Sequence, residues 1–514
     1  VDGTITANGG GLSSSGSGSG GGIFLTCQTL AGNGGIIRAN GGNTYGGGGG
    51  GRIAVIYDAT AQSLVAVPSI RFQTIGGSGN YEYGKVGTLY FPDNRLLTEV
   101  FPHSGQWCVP DFTNWAPSNL YISNGWLRIP ADGFRLTITN RLDMLGTDAG
   151  LNKLELTNAL LTSGADMFIN KAALVLWAGA TSGPSLQCGG NLVLTNAGAL
   201  YLYSGPTNTG DSVDWGASAG VTNALWIEAG SVIYPYSHPT NGGAPIIYAD
   251  TLRIAAGGSI NADNNGYGAH LDFSGAPATP VNAYGYGPGA GFGFGGGGNG
   301  GRGGGTENPY MGNYGSGGYP CGLVDAPIGP GSSGGTAYYG NYPAGSGGGA
   351  VRIQAAGAIT NDGTITANGG SGSSAGAGAG GSIFITCNSF AGTGGIVRAI
   401  GGGALGGGGG GRIAIVYDTN AQALVSSPTV TFSTKPGMDN STYGYGDVGT
   451  IYFPDNRFLT QPFQHSGQWW VPGFTNWAPN NLMVSNGWLR IPSNGFCLTI
   501  TNRLDIIGTD INMH

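Results

Sequence analysis

Apolar residues in the middle of the chain follow a short pattern: two apolar positions two residues apart, a glycine, and two more apolar positions two residues apart. Leu192, Leu194, Gly198, Leu200 and Leu202 form one example. Alternation with a period of two is typical of a strand that buries one face. A glycine between the pairs permits the positive φ of a sharp corner. The pattern therefore predicts a strand, a corner and a second strand.

This pattern recurs, and its spacing favours an all-β fold built as a parallel β-solenoid, with one instance in each coil. Instances that begin at Leu174, Leu192, Leu225 and Leu252 lie 18 to 33 residues apart, and helical periodicity is nowhere evident. A β-sandwich or a string of sandwiches is the alternative, because Asn-Gly and Asp-Gly pairs are typical of hairpin turns. Such pairs occur at residues 2–3, 124–125, 132–133 and 486–487.

A segment near the start of the sequence is repeated 360 residues later. Residues 2–58 and 362–418 are identical at 39 of 57 positions, and residues 87–148 and 449–510 are identical at 47 of 62. Because natural repeat arrays stack many units, one full period followed by part of a second indicates a window of a longer tandem array. A single protein with one duplicated segment is the alternative.

The two repeats predict six segments. The first copy comprises a glycine-rich module at 1–58 and a β-rich aromatic module at 59–149. The second copy comprises the same two modules at 362–418 and 419–514. Between them we expect β-solenoid coils at 150–283 and a glycine-rich insertion followed by a strand at 284–361.

Composition excludes several classes of protein. The 514 residues include 106 glycines and only 9% charged residues, with a net charge of −7. With 40% hydrophobic residues the chain can bury a core, which disordered chains cannot do. The glycines have no period of three, which excludes collagen. We also expect no membrane span and no nucleic-acid partner, because there is neither a long apolar run nor a basic patch.

The glycine runs require an explanation of their own. Segments such as GGGGGG at 46–51 can run as extended strands similar to polyproline II and pack backbone against backbone at close range. The alternation of small residues in GSGSGSGGG and GAGAGAGGS is consistent with such tight packing. Surface loops held in place by their neighbours are the alternative.

Four motifs together carry a resemblance. GTITANGG, GGxIFhTC, AGxGGIhRA and GGGGGGRIAhhYD, where h is aliphatic, resemble glycine-rich repeat regions of very large bacterial surface proteins. The resemblance covers residues 1–58 and 250–418. It implies β-solenoid stalks of adhesin-like or filament-forming extracellular proteins, and it supplies no active site.

The cysteines predict neither a disulfide framework nor a metal site. Of the six, only Cys27 and Cys387 occupy equivalent positions in the two copies, whereas disulfides are expected to repeat with the module. Each of these two follows an apolar strand, which favours a buried free thiol. No CxxC pair, HExxH or P-loop motif occurs, so we expect no metal and no cofactor.

One polar group leaves an enzyme open as an alternative. Asp93, Arg95 and His103 place a carboxylate, a cation and an imidazole within eleven residues, and the second copy repeats all three. Polysaccharide lyases and glycosidases use such groups in an exposed groove. Turn and loop roles explain the same residues, and we expect no catalytic residue.

Tryptophans recur in both copies and are candidates for carbohydrate binding. An aromatic ring on an exposed face can stack on a sugar, but large aromatic residues also fill protein cores. We favour the core role. The six candidates are Trp107, Trp115, Trp126, Trp469, Trp477 and Trp488.

The sequence thus predicts a structural protein rather than an enzyme. We expect an extracellular filament, fibre or cell-surface stalk made of stacked modules of about 360 residues, with self-association between identical modules or chains. A surface adhesin that binds polysaccharide or cell-surface glycans is the first alternative. A β-helix polysaccharide lyase or glycosidase is the second.

Overall fold

The chain is nearly all-β, and most of its strands belong to a large, mostly parallel sheet, which confirms the predicted fold class at that level. The computed structural model describes residues 1–11, 16–147, 150–206, 216–269, 284–308, 313–336, 343–373, 375–438, 444–460 and 462–508. Two compact units are present. One comprises residues 1–179 and 184–201, and the other comprises 180–183 and 202–514.

The first unit contains one short helix and most of the strands of the first copy. Its elements are β1 (Thr4–Thr6), β2 (Gly22–Thr26), β3 (Asn33–Arg38), β4 (Thr44–Gly46), β5 (Arg52–Ile56), α1 (Ala59–Gln62), β6 (Ser69–Gln73), β7 (Gly79–Glu82), β8 (Thr88–Tyr90), β9 (Val100–Phe101), β10 (Ser104–Cys108), β11 (Asn114–Trp115), β12 (Leu120–Ser123), β13 (Trp126–Asp132), β14 (Arg135–Ile138), β15 (Leu142–Leu145), β16 (Lys153–Thr157), β17 (Leu160–Ser163), β18 (Met167–Asn170), β19 (Ala173–Trp177), β20 (Ser185–Cys188) and β21 (Leu192–Thr195).

The remaining elements follow in chain order. They are β22 (Ala199–Tyr203), β23 (Ala217–Ile227), β24 (Val232–Tyr236), β25 (Pro245–Ile254), β26 (Ser259–Asn261), β27 (Phe292–Gly293), β28 (Thr306–Asn308), β29 (Asn313–Ser316), β30 (Ala350–Ala355), β31 (Ala358–Asn361), β32 (Thr364–Thr366), β33 (Ser382–Cys387), β34 (Ser389–Ala391), β35 (Ile396–Arg398), β36 (Arg412–Tyr417), α2 (Thr419–Gln422), β37 (Thr431–Ser433), β38 (Thr450–Tyr452), β39 (Ser466–Trp470), β40 (Asn476–Trp477), β41 (Asn481–Ser485), β42 (Trp488–Arg490), β43 (Cys497–Leu498) and β44 (Arg503–Ile507).

Strand pairing in the first unit has a spacing of three strands. Strand β13 pairs in parallel with β16, and β16 pairs with β19. The same spacing links β14 to β17 and β20, and β15 to β18 and β21. Every third strand therefore returns to a position beside its predecessor, with all neighbours running in the same direction.

Matched apolar side chains fill the core along this pairing. Leu127 lies in register with Leu154, which lies in register with Leu174, and all three are fully buried. Two further buried sets follow the same rule on the other strands of the triplet. They are Leu136, Leu161 and Leu186, and Leu142, Met167 and Leu192.

The corner glycines have a different role from the one predicted at most positions. Positive φ at the corner before Gly198 belongs to Asn196 and Ala197, not to the glycine. A Cβ at Gly198 would collide with the carbonyl oxygen of Ile169 in the adjacent strand. The same pattern occurs around Gly125, Gly230 and Gly258. Of these four glycines only Gly230, with φ of +75°, has the predicted positive φ. The glycine is required chiefly because neighbouring backbones approach closely.

The Asn-Gly and Asp-Gly turns do not close the hairpins of a sandwich. Gly133, with φ of +73°, joins β13 to β14, but these strands pair in parallel with other strands. Asn124 has φ of 49° and likewise precedes a strand with parallel partners. Within the described residues, antiparallel strand pairing is confined to β27, β28 and β29.

Two four-residue helices were not predicted. Asp58 caps α1 by accepting a hydrogen bond from the backbone N–H of Ala61, and Asp418 caps α2 in the same way. The last residue of α1, Gln62, is buried and bonds both backbone groups of Leu30 through its side-chain amide. Each helix thus positions a buried glutamine, which is Gln62 in α1 and Gln422 in α2.

Candidate functional site

Asp93 lies in a polar cluster that both copies share. The hydroxyl of Tyr57 donates to Asp93 Oδ1 at 2.6 Å, and Arg95 Nε donates to Oδ2 at 3.2 Å. In the second copy Tyr417 and Arg457 bind Asp455 at 2.7 and 2.8 Å. Each carboxylate thus links the PDNR motif, through the hydrogen bond from the tyrosine, to the end of a strand.

Electrostatics keep this cluster in one protonation state. Burial and the adjacent carboxylate raise the pKa of Tyr57 and of Tyr417 above its ordinary value. Partial burial opposes ionisation of Asp455, but hydrogen bonds from Tyr417 and Arg457 leave the pKa of its carboxyl below the usual value. Both phenols therefore stay donors, and the Asp455 carboxylate stays an acceptor, at neutral pH. Sequence reasoning missed the tyrosines, although RIAxxYD places one in each copy.

His103 makes its hydrogen bonds away from Asp93 and Arg95. Its Nδ1 accepts a hydrogen bond from the backbone N–H of Phe72 at 3.2 Å, and a second bond joins the imidazole to the backbone of Leu96. Burial lowers the pKa of His103 to about 4, and the charge of Arg71 acts in the same direction. A buried neutral imidazole held by backbone groups fixes the fold, and it is not placed as a general base.

The second copy repeats this arrangement. His465 accepts from the backbone N–H of Phe432 at 3.2 Å, and its Nε2 lies 3.2 Å from the carbonyl oxygen of Phe458. Because Nδ1 accepts, Nε2 carries the proton and donates to that carbonyl. Burial lowers the pKa of His465 to about 4 as well.

The six candidate tryptophans differ in exposure. Trp107 and Trp469 are each 1% exposed and stack on His103 and His465, with ring centroids 5.8 and 5.4 Å apart. Trp126 is also buried. A buried ring presents no face to a sugar, so stacking on a carbohydrate is open only to the half-buried rings of Trp115, Trp477 and Trp488. Their role as a binding surface stays a prediction.

All six cysteines are free thiols. Cys188 is buried, Cys497 is exposed, and the equivalent pair Cys27 and Cys387 are half-buried rather than fully buried as expected. Burial raises the pKa of Cys387 to about 12. In the described part of the chain, no group of three or more histidine, cysteine or acidic side chains is arranged to hold a metal ion.

The first strands of each copy differ in burial, although their sequences nearly match. We call β1 and β2 the first-copy edge. Phe24 on this edge is 72% exposed, whereas its equivalent Phe384 is half-buried beside β30. Ile365 is fully buried beside β26, whereas its equivalent Ile5 is half-buried. In the second copy, the strands equivalent to β1 and β2 are thus covered by β26 and β30.

A complementary difference lies at β43 and β44, which we call the second-copy edge. Leu504 is 51% exposed and Ile506 is 61% exposed. Their first-copy equivalents, Leu142 and Met144, are fully buried because β15 pairs with β18. Apolar side chains that are core residues in one copy are therefore surface residues in the other.

The glycine runs form an ordered layer held by backbone hydrogen bonds. Successive N–H groups of residues 407–411 donate to different segments. Gly408 and Gly411 donate to Gly402 and Ala399, while Gly407 and Gly410, again three residues apart, donate to residues 444 and 447. N–H groups that lie three residues apart therefore donate to the same neighbouring segment.

Close packing in this layer excludes side chains. A Cβ at Gly408 would collide with the carbonyl oxygen of Gly378, and one at Gly48 would collide with that of Gly18. The glycine run in the unique insertion joins the same layer, since Gly409 donates to Gly297. Glycine is required here because neighbouring backbones occupy the space of a side chain.

No helix in the described residues is both long enough and apolar enough to cross a membrane. Comparisons with protein-family models, with curated proteins and with solved structures found no match to the chain.

Proposed function

We propose that this chain is a structural tandem-repeat protein that builds an extracellular filament, fibre or surface stalk from stacked modules of about 360 residues. Each module is a parallel β-solenoid flanked by an ordered glycine layer. The observation that carries the proposal is the 360-residue repeat, taken together with parallel strands whose buried leucines lie in register, as Leu127, Leu154 and Leu174 do.

Strand topology supports the solenoid. Parallel neighbours three strands apart, with buried leucines in register, are expected when the chain winds through three strands in each coil. Each coil then buries its apolar residues against the next coil, and a further repeat would continue the same stack.

The three-residue recurrence in the glycine layer supports a bundle of polyproline-II-like segments. Polyproline II has three residues per turn and no internal hydrogen bonds, which leaves every N–H free to bond a neighbouring segment. The N–H groups of Gly407 to Gly411 donate to several neighbouring segments, and those three residues apart donate to the same segment. Such a bundle stiffens the side of the solenoid with backbone contacts alone.

Both edges are suited to parallel addition of another repeat. In the second copy the N–H of Thr364 donates to the carbonyl of Gly258 in the preceding strand segment. Its equivalent on the first-copy edge is Thr4. Unpaired edge strands are templates for pairing with another chain, and the buried second copy supplies the register, with Ile260 opposite Ile365. The same register would place an apolar residue opposite Ile5.

Composition favours an extracellular location. With 9% charged residues there is little self-repulsion to oppose contacts between modules. Only 19 lysines and arginines are present, which leaves few sites for trypsin-like proteases.

Electron microscopy of the full chain, with analytical ultracentrifugation, tests the proposal. Paired residues in the first unit are 18 to 36 positions apart, as in Leu89 with Trp107 and Arg52 with Thr88. A period of 360 residues then holds about 10 to 20 coils, or roughly 50 to 95 Å at about 4.8 Å per coil. We expect filaments with a cross-β spacing near that rise. Discrete monomers at all concentrations would overturn the proposal.

Variants of the first-copy edge distinguish assembly through this edge from nonspecific association. Thr4→Pro removes the outward N–H, and Phe24→Lys places a charge on the first-copy edge, so both should reduce association at least tenfold. Leu64→Lys is the matched control, because Leu64 is exposed but lies outside both edges. Equal loss of assembly in the control would contradict the proposed interface.

A further inference from the structure

A polar groove opens beside the second copy's β35 and β37. Its volume is about 460 Å³, which lies within the range typical of small-molecule sites. Side chains from four separate parts of the second copy converge on it. They include Arg398, Thr431, Ser433, Lys435, Gln464 and Asn486.

The charge of the groove selects against cations. Arg398 and Lys435 contribute two positive charges, and none of the described residues that line the groove is acidic. Arg398 is exposed and makes no ion pair within the part of the chain that the structure describes. A guanidinium presents paired N–H donors that match a carboxylate. The groove is therefore suited to an anionic group.

The neutral lining adds a second requirement. Thr431, Ser433, Gln464 and Asn486 supply hydroxyl and amide groups around the cations, and these groups both donate and accept hydrogen bonds. A ligand that fits must carry several hydroxyls as well as a negative charge. A bare inorganic anion uses the cations and leaves most of this lining unused.

The first copy has a different set of residues at the equivalent place. Arg71 stands where the second copy has Thr431, and its Nη2 donates to the backbone carbonyl of Asn124 at 2.8 Å. Ile75 replaces Lys435. The second copy thus has a short hydroxyl side chain where the first copy has the arginine that bonds the Asn124 carbonyl. It also has a cation where the first copy has an apolar residue. The duplication supplies a natural comparison.

We propose that this groove of the second copy binds an acidic saccharide, namely a short oligosaccharide that contains uronate. Arg398 and Lys435 bind its carboxylate, while the surrounding hydroxyl and amide side chains bind sugar hydroxyls. The volume accommodates about two sugar rings. This site is independent of the module edges, so it does not depend on filament formation.

Isothermal titration of the full chain with digalacturonate tests the site. We expect binding that weakens as salt increases from 50 to 300 mM, since screening reduces charge attraction. Arg398→Gln and Lys435→Ile should each reduce affinity at least tenfold, the second by restoring the apolar residue of the first copy. Arg38→Gln is the matched control, because Arg38 is the first-copy equivalent of Arg398, and it should leave affinity unchanged.

Three results would overturn the proposal. The first is absence of digalacturonate binding by a chain whose circular dichroism and melting are normal. The second is equal affinity for a neutral digalactoside, which would show that charge does not select the ligand. The third is displacement of digalacturonate by inorganic phosphate at equal concentration, which would identify a simple anion site instead of a saccharide site.

Discussion

The imidazole of His103 accepts a hydrogen bond from the backbone N–H of Phe72 at 3.2 Å, and His465 repeats this bond with Phe432. Both imidazoles must be neutral to accept, and burial lowers the pKa of each to about 4. The fold therefore contains two buried acceptors that protonation would destroy.

Acid should destabilise the protein through these two groups. An unfolded histidine has a pKa near 6.5, so between about pH 6.5 and 4 the unfolded chain binds protons that the folded chain does not. Stability is fully present above pH 6.5 and falls as pH decreases, by up to about 3 kcal/mol per histidine. Urea unfolding midpoints measured from pH 7 to 4.5 check this.

The double variant His103→Asn with His465→Asn provides the control for that measurement. Asparagine offers a side-chain acceptor but does not titrate in this range. Its stability should be lower at pH 7 but should depend less on pH. An unchanged slope would show that other groups, such as the partly buried His238 or the carboxylates, cause the acid response.

Glycine substitution in the layer should depend sharply on position. Gly48→Ala places a Cβ against the carbonyl of Gly18, which is backbone and cannot rotate away, so we expect a loss of at least about 2 kcal/mol. Gly49→Ala is the neighbouring control, because a Cβ there meets nothing within 4 Å. Thermal melting compares the two. Similar melting temperatures would mean that the layer is looser than described.

The tyrosine to aspartate bond should contribute to stability in both copies. Tyr417→Phe removes the donor to Asp455 and should cost about 1 to 2 kcal/mol in the free energy of unfolding. Tyr445→Phe should change stability by less than about 0.5 kcal/mol, because its side chain is exposed. Denaturant titration distinguishes them, and equal effects would argue against a structural role for the cluster.

Replacement of Gln62 by glutamate should strongly destabilise the folded protein. Its Oε1 accepts from the N–H of Leu30 at 2.6 Å and its Nε2 donates to the Leu30 carbonyl at 3.0 Å. Gln62→Glu buries a charge and leaves that carbonyl without its donor, a loss of about 3 kcal/mol or more. Gln28→Glu, at an exposed position, should be nearly neutral. Soluble yield and melting temperature of both variants check the prediction.

Much of the fold could be predicted because burial in strands has a period of two. The pairs Leu192 with Leu194 and Leu200 with Leu202 mark two strands, and all four residues are buried. The predicted reason for a glycine at position 198 was wrong. The close approach of a neighbouring backbone, and not a positive φ, requires it. Sequence identifies a glycine, but only the position of the adjacent backbone distinguishes positive φ from close approach.

Contacts between distant residues were less predictable. Asp93, Arg95 and His103 are close in sequence, yet Asp93 bonds Tyr57, and His103 bonds Phe72. Proximity in sequence does not predict proximity in space when parallel strand pairing brings residues 18 to 36 positions apart into register. The groove beside Thr431 was also missed, since its lining comes from four separate segments.

The crowded glycines also bear on how the gene can change. Every codon for glycine begins with two guanines, and any single-base substitution that alters the amino acid adds a Cβ or ends the chain. At Gly48 or Gly408 the added atom meets a backbone carbonyl. The crowded glycines are therefore among the residues that mutation can alter least. A population of such genes should retain Gly48 and Gly408 more faithfully than the leucines of the core, which can exchange for isoleucine or methionine, and should vary more at Gly49.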